Sequence, residues 1–274
     1  MRIAIILCCF NRMQMTKRCL QQLLEQAKEL TENRFEIFAW DDASTDGTVE
    51  MIRQEFPSIR LFQGDGGLYW CKSMHHAMRE AVRENFDLYL MVNDDVDFAD
   101  NALAVMLDAY NDIHTPCGIV GTTIKVSANE MSYGGRNEDG QLIEPCDKLQ
   151  TCTWANWNCF LVDKKVVDKV GLIDGKYQHS WGDFDYSFRM KKAGFKIYVA
   201  PHFIGKCELN QKKGSFRDNS VERRKRIKML LAPKGQPFYS YMRYHIKVYG
   251  KRGFFKYLYG YTSIVGYILM GKEL

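Results

Sequence analysis

The chain has nine cysteines, yet none form a CxxC pair or a metal-finger spacing, so the sequence gives no sign of a zinc module. Their odd number, with several inside apolar runs where a thiol behaves as a small hydrophobe, favours a reducing cytosol over a disulfide framework. The Gly-rich stretch GDGGLYWCKS (64–73) is neither G-x-G-x-x-G nor a P-loop. No apolar run approaches the roughly 20 residues that a spanning helix needs. The most apolar part of the C-terminal stretch, 257–271, is too short and too rich in Gly and Tyr. Near the amino terminus, IAIILCCF is brief, ends in Asn-Arg and lacks a small-residue cleavage site, so it reads as a first strand. Internal repeats and low-complexity segments are absent as well.

What is present suits a globular chain with a substantial core. Of 274 residues, 46% are hydrophobic and 26% charged. The net charge of +5 hides an asymmetry. Residues 205–274 hold 16 Lys/Arg against 4 Asp/Glu, a net of +12, leaving residues 1–204 with 22 against 29, a net of −7. An acidic front and a basic tail imply different jobs. The acidic front would repel a phosphate backbone, so no nucleic-acid partner is expected.

Over the first 125 residues, apolar runs alternate with helical patterns. RIAIILCCF (2–10), FEIFAWD (35–41), IRLFQ (59–63), DLYLMVN (87–93) and CGIVGTTI (117–124) read as strands. Between them, residues 17–30, 49–56, 73–85 and 102–111 read as helices. This order predicts an α/β fold with βαβ units and a mainly parallel sheet. Continuous apolarity predicts cover on both faces. Further on, residues 125–150 read as a loop or hairpin, TWANWNCFLV (153–162) as a strand and KKVVDKVG (164–171) as a short helix. WGDFDYSFRMKKAG (181–194) is then a helix with a Gly stop, and KIYVAP (196–201) a strand.

Polar groups collect where the strands stop: Asn11-Arg12, Asp41-Asp42, Gly64-Asp65-Gly66-Gly67 and Asn93-Asp94-Asp95. Each alone is an ordinary turn. Four together predict a ligand cleft beyond the carboxyl ends of the strands. Asp41 is expected to offer a free carboxylate to a base N–H, although DDASTDGT (41–48) also reads as a plain helix cap, with Thr45 or Asp46 capping. Lys72 would neutralise phosphate or sit in water, and Tyr69 and Trp70 would line a sugar or fill the core. The strongest feature is NDDVDF (93–98): hard divalent cations are held by one or two carboxylates plus substrate phosphates. Capping of the next helix would explain only one of these acids. Asp183 and Asp185 are two apart and do not share a helix face. Asp185 can pair with Arg189, and Asp183 is a cap or a general base. His202 sits at another expected strand end.

Taken in order, CCFNR, DDASTDGT, GDGGLYW, NDDV, TWANWN and WGDFDYSFRMKKAG resemble a family 2 glycosyltransferase of the GT-A fold, over roughly residues 1–206. The resemblance implies an inverting, metal-dependent hexosyl- or rhamnosyltransferase that takes a nucleotide-diphosphate sugar and an acceptor hydroxyl. It implies a nucleotide-binding half (1–125), an acceptor-binding half (126–206) and a basic, aromatic helical tail (207–274). Asn11, Arg12, Asp41, Gly67, Trp70, Lys72, Asn93 and Asp94 would serve the donor. Asp95 and His202 would hold Mn²⁺ or Mg²⁺, Asp183 would be the base, with Asp185 as substitute, and Trp154, Asn156 and Trp181 would meet the acceptor. Two positions depart from the family pattern. Asn93 replaces the first Asp of the DxD motif, as in rhamnosyltransferase-like members, and Gly182 replaces the Glu before the base.

The tail, with ERRKRIKMLL (222–231) and a loosely rhamnosyltransferase-like PFYSYMRYHIKVYGKRG (237–253), mixes cations with aromatics. It would meet a membrane interface or pack on the body or a second copy. The expected setting is bacterial surface polysaccharide or glycolipid synthesis, in the cytoplasm or peripherally at the inner face of the cell membrane. Rival readings are a sugar nucleotidyltransferase of related fold and a non-catalytic sugar-binding or assembly protein at a membrane surface.

Overall fold

A computed structural model describes all residues, 1–274. The first half runs β1 (Arg2–Cys9), α1 (Met13–Glu29), β2 (Arg34–Asp41), α2 (Thr48–Glu55), β3 (Arg60–Gln63), α3 (Tyr69–Val82), β4 (Leu88–Asn93), β5 (Asp97–Phe98), α4 (Ala102–Asn111) and β6 (Cys117–Ile124). The second half runs β7 (Met131–Tyr133), β8 (Gly135–Arg136), β9 (Gln150–Cys152), β10 (Trp154–Ala155), β11 (Cys159–Asp163), α5 (Lys164–Val170), α6 (Gly182–Lys192), β12 (Lys196–Lys206), α7 (Arg223–Leu231), α8 (Phe238–Tyr249) and α9 (Lys251–Leu269).

The apolar strands are continuous because alternate residues enter two different cores. Ile3, Ile5 and Leu7 of β1 meet Cys19, Leu20 and Leu23 of α1 on one face, whereas Ala4, Ile6 and Cys8 meet Met74, Ala77 and Met78 of α3 on the other. Leu88, Leu90 and Val92 of β4 divide from Tyr89 and Met91 in the same way. This is the period-2 alternation of a strand between two helical layers. At roughly 1.5–3 kcal/mol per fully buried aliphatic side chain, the strands supply much of the folding drive.

The large sheet has the order β3-β2-β1-β4-β11-β6-β12-β5. β1 pairs in parallel with β2 and β4, β2 with β3, and β6 with β12. β1 therefore lies between its successor in sequence and the later β4, a topological switch point, and such points open clefts at the strands' carboxyl ends. The sheet departs from parallel at β11, which is antiparallel to both β4 and β6. The expected single strand 153–162 is broken: Trp154–Ala155 pairs with β8 in a small separate sheet, and only Cys159–Asp163 enters the large one. Because β11 runs backwards, its amino end arrives beside the carboxyl end of β4, with Cys159 opposite Val92.

The tail helices share a small core of Phe216, Leu230, Tyr241, Tyr257, Tyr261 and Ile268. The chain folds back between α8 and α9 so closely that a Cβ at Gly253 would strike the His245 carbonyl. α8 also docks on the body: Arg243 and Lys247 reach Asp174 at 2.6 and 3.1 Å, and the Trp181 ring stacks on Tyr244 at 4.6 Å. The outer side of α9 is apolar and bare, with Phe255 70% and Tyr259 78% exposed. No helix is long and apolar enough to cross a membrane.

Candidate active site

The acidic cluster at the end of β4 is not a row of solvated charges. Asn93 accepts a hydrogen bond from the Trp70 indole N–H at 2.8 Å. Asp94 is buried and accepts from the Thr16 hydroxyl at 3.0 Å and from Arg12 Nη1 at 3.0 Å. The same Nη1 donates to Asp95 Oδ2 at 2.8 Å, and the Cys207 thiol lies 3.6 Å from Asp95 Oδ1. Burial pushes the Asp94 carboxyl up to about 6, with Asp95 adding to the rise and Arg12 and Thr16 opposing it. Asp97 turns away to Gln22 at 2.8 Å and Arg18 at 3.4 Å.

Arg12 is aimed by the loop that precedes it. Asn11 adopts a left-handed φ of 50°, its N–H donates to Ser44 Oγ at 2.8 Å, and its Oδ1 accepts from the Thr45 N–H at 2.7 Å. The ends of β1 and β2 are thereby tied together. Asp41 is fully buried and not the free carboxylate that its strand-end position suggests. Its Oδ1 accepts the Ser44 N–H at 2.8 Å, and the Cys9 thiol lies 3.5 Å from Oδ2. Its neighbour Asp42 organises the Gly-rich loop by accepting the backbone N–H groups of Gly66, Leu68 and Tyr69 at 3.1, 3.0 and 2.9 Å. A Cβ at Gly64 would lie 2.6 Å from Asp42 Oδ1, and Gly66 has a φ of +86°, so glycine is needed at both. Gly67 donates its N–H to Asp65 at 3.0 Å. Lys72 stands half-buried on α3 and forms no salt bridge.

Across the cleft, Asp183 lies in the first turn of α6, where the helix dipole favours a carboxylate. Its Oδ1 accepts its neighbour Phe184's N–H at 2.9 Å, and its Oδ2 accepts from Asn156 Nδ2 at 3.4 Å. Arg136 Nε donates in turn to Asn156 Oδ1 at 3.4 Å. Burial raises the Asp183 carboxyl to about 6 against these hydrogen bonds and the Arg136 charge. Asp185 faces the opposite way. It is fully buried and paired with Arg189 at 2.9 Å, Lys247 at 2.7 Å and the Tyr177 hydroxyl at 3.2 Å. Gly182 has a steric cause: a Cβ there would collide with Cys71 Sγ and press on Ile173, leaving no room for a Glu.

One tripeptide joins the two sides. Asn156 holds Asp183, and two residues later the Asn158 carbonyl accepts the Asn93 N–H at 3.0 Å. Residues 157–158 form a turn, so these two anchor points are separated by less than the roughly 7 Å that two extended residues would span.

Other expected positions fall elsewhere. His202 is not at a strand end, because β12 continues to Lys206. It pairs with exposed Asp147 at 3.3 Å and precedes Cys207 by five residues, roughly 16 Å of extended chain. Cys207, not His202, is what the end of β12 brings to Asp95. Trp181 is turned toward the tail, with Tyr241, Tyr244 and His245 around its ring, and holds a left-handed φ of 81°. Trp154 packs edge-on against Phe184 at 6.3 Å. Asp42, Arg136 and Lys247 were missed as site-forming residues. Asp42 was adjacent to an expected one, but nothing in the local pattern marked the other two.

No group of three His, Cys, Asp or Glu side chains converges so that it could hold a metal by itself. Asp94 and Asp95 do converge on one cationic atom, Arg12 Nη1, which marks a cation position with hard oxygen donors. That donor set fits a Mg²⁺ or Mn²⁺ ion sharing one or two carboxylates with substrate phosphates.

The chain is 22% identical over 213 residues, 66% of its length and 69% of the relative's, to N-acetylglucosaminyl-diphospho-decaprenol L-rhamnosyltransferase of Mycobacterium tuberculosis. Its fold resembles residues 1–349 of S. aureus TarS (TM-score 0.57, 14% identity, 97% of this chain and 74% of that one). It also resembles the Pyrobaculum calidifontis mannosyltransferase PcManGT in complex with GDP-Man and Mn²⁺ (TM-score 0.58, 16% identity, 98% and 73%). Residues 4–171 match the family model described as glycosyl transferase family 2, and they hold the switch-point cleft, the acid cluster and Asn156. The chain belongs to glycosyl transferase family 2.

Proposed function

We propose that the protein transfers a sugar, with inversion, from a nucleotide-diphosphate sugar to an acceptor hydroxyl, with Asp183 as general base. The observation that carries this reading is the tripeptide Asn156–Asn158, which ties the raised carboxyl of Asp183 to the acid cluster at the end of β4. In a single displacement, the acceptor oxygen forms a bond to the anomeric carbon as the bond from that carbon to the diphosphate oxygen breaks. The hydroxyl proton passes to Asp183, and the electron pair leaves with the nucleoside diphosphate. Asn156, backed by Arg136, orients Asp183 for this transfer. Arg12 and Lys72 supply positive charge for the departing phosphates. A divalent cation held by Asp95, with Asp94 behind it, would stabilise the same leaving charge as a Lewis acid.

The loop fixed by Asp42 forms the nucleotide side, with buried Asp41 supporting the strand end behind it, and Trp154 with Asn156 the acceptor side. The acceptor class proposed is a saccharide or lipid-linked sugar of a cell surface, supported by the decaprenol-linked acceptor in the rhamnosyltransferase's name. The bare aromatic side of α9, with Lys251, Arg252 and Lys256 beside it, would rest on an anionic membrane surface.

The test is a screen of UDP-, dTDP- and GDP-sugars with Mn²⁺ or Mg²⁺, following nucleotide release and thermal shift. At least one pair should stabilise the protein and release nucleotide when an acceptor is added. Absence of any stabilisation across the screen would overturn the donor reading.

A further inference from the structure

The acid pair at the end of β4 already has a cation in place. Nη1 of Arg12 lies 3.0 Å from Asp94 and 2.8 Å from Asp95, so one guanidinium nitrogen bridges both carboxylates. The base of this bridge is anchored. Arg12 caps α1, its carbonyl accepts the Thr16 N–H at 2.9 Å, and the Thr16 hydroxyl holds the far oxygen of Asp94. Its outer limb is different: the Arg12 side chain is 41% exposed and Asp95 29%, against 5% for Asp94. A long, half-exposed side chain can leave Asp95 without disturbing the fold, whereas buried Asp94 cannot move.

Any divalent cation that uses Asp95 must compete with this guanidinium, because two positive centres repel at contact distance. Arg12 has a destination when it leaves. Guanidinium groups recognise phosphate oxygens in a fork that an ammonium cannot match. The charges of Arg12 and of Lys234 in the tail add to burial in lowering His179. The buried Nδ1 of His179 has no hydrogen-bond partner.

We infer that Arg12 is a placeholder cation: it closes the Asp94–Asp95 pair in the donor-free protein and moves to the donor's diphosphate as a divalent cation takes Asp95. Metal entry is thereby coupled to donor binding, and the protein binds metal weakly until a diphosphate draws the arginine away. This rests on the reading of Asp95 as the cation's residue and makes Arg12 a positioning residue as well as a donor contact.

The experiment measures Mn²⁺ alone binding to full-length protein by the electron paramagnetic resonance signal of free Mn²⁺, for the native chain, Arg12→Gln and Asp95→Asn. Arg12→Gln should bind Mn²⁺ about tenfold more tightly than the native chain, within the 5–150-fold range of coupled sites. Asp95→Asn should lose the site. With pyrophosphate as probe, the native melting shift from Mg²⁺ and pyrophosphate together should exceed the sum of the separate shifts, and in Arg12→Gln that excess should shrink to the part that direct metal–pyrophosphate coordination supplies. If Arg12→Gln binds Mn²⁺ no more tightly than native while Asp95→Asn loses binding, the placeholder role is overturned and the metal reading stands. If no variant binds Mn²⁺ even with pyrophosphate, both are overturned. Should Arg12→Gln fail to fold, Arg12→Met decides, because it removes the cation that bridges both acids while keeping an aliphatic stem; a native Mn²⁺ constant in that variant overturns the inference.

Discussion

Replacing Asp183 by Asn separates the cost of this carboxylate to the fold from its use in the reaction. Burial raises it from the ordinary 3.8 to about 6, so the native state holds its proton more tightly than the unfolded chain does. The sign follows from linkage: the stabilising contribution is full below pH 3.8, declines as pH rises, and is gone above the folded value of about 6. A rise of that size corresponds to about 3 kcal/mol. The residue is not fully buried, so half of this, about 1.5 kcal/mol, is the working figure after solvent screening. An Asn carries no charge to bury. The melting temperature of Asp183→Asn relative to native should therefore climb by roughly 3–6 °C between pH 4 and pH 7.5. The hydrogen bond lost from one carboxyl oxygen adds a constant offset, not a slope. Transfer activity should fall by at least about 100-fold, the usual scale of general-base loss. Native kcat/KM should rise with pH up to about 6 and then level. A melting difference that stays flat across this pH range, or a variant with full activity, would refute the assignment.

Four other outcomes follow from specific contacts. Asp42→Ala frees the N–H groups of Gly66, Leu68 and Tyr69; at about 1.5 kcal/mol or more per charge-assisted bond, donor KM should rise at least tenfold, read by initial rates. Lys247→Met leaves buried Asp185 with Arg189 as its remaining cation; differential scanning calorimetry should show a loss of about 2 kcal/mol, below the cost of a fully orphaned charge. Gly182→Glu restores the residue usual before the base but should destabilise by about 1–3 kcal/mol through the clash with Cys71; adding Cys71→Ala should recover part of that loss in chemical denaturation. For the tail, Phe255→Glu with Tyr259→Glu should reduce flotation with anionic liposomes without shifting the melting temperature, since both side chains are exposed; unchanged flotation would remove the membrane role.

Some of this was legible in the sequence because its physical scale is short. A buried strand needs five or six apolar residues in a row, and a ligand-bearing turn needs Asp, Asn or Gly directly after them. CGIVGTTI and ALAVMLDAYN accordingly fall where their patterns place them, at Cys117–Ile124 and Ala102–Asn111. What failed depended on pairing. The strand after Lys196 was expected to stop at Pro201, but β6 continues alongside it and keeps it extended to Lys206. That longer strand moves His202 off the site and brings Cys207 to Asp95. TWANWN was apolar enough to read as one strand, yet its Trp154 and Ala155 pair with Arg136 and Gly135 instead. Asp41 and Asp42 look interchangeable in sequence. Only the position of the Gly-rich loop decides which one folds that loop and which one sits buried at Ser44 and Cys9.

The two carboxylates of WGDFDYS show how far local geometry reaches. Residues two apart on a helix point about 200° apart, so Asp183 and Asp185 must serve different surroundings. One meets Asn156 at the cleft, and the other meets Lys247 of α8. The turn that carries Asp183 is thus also the turn on which the tail is fastened, with Trp181, one residue before it, stacked on Tyr244. A displacement of α8 would reach Asp183 through a rigid helical turn and a strained residue, with no intervening loop to absorb it. The basic tail is therefore a brace for Asp183, the proposed base, as well as a surface for whatever α9 touches. A tail mutation should accordingly change kcat before it changes donor KM, because the proposed donor contacts at Arg12 and the Asp42 loop lie on elements that α8 does not hold.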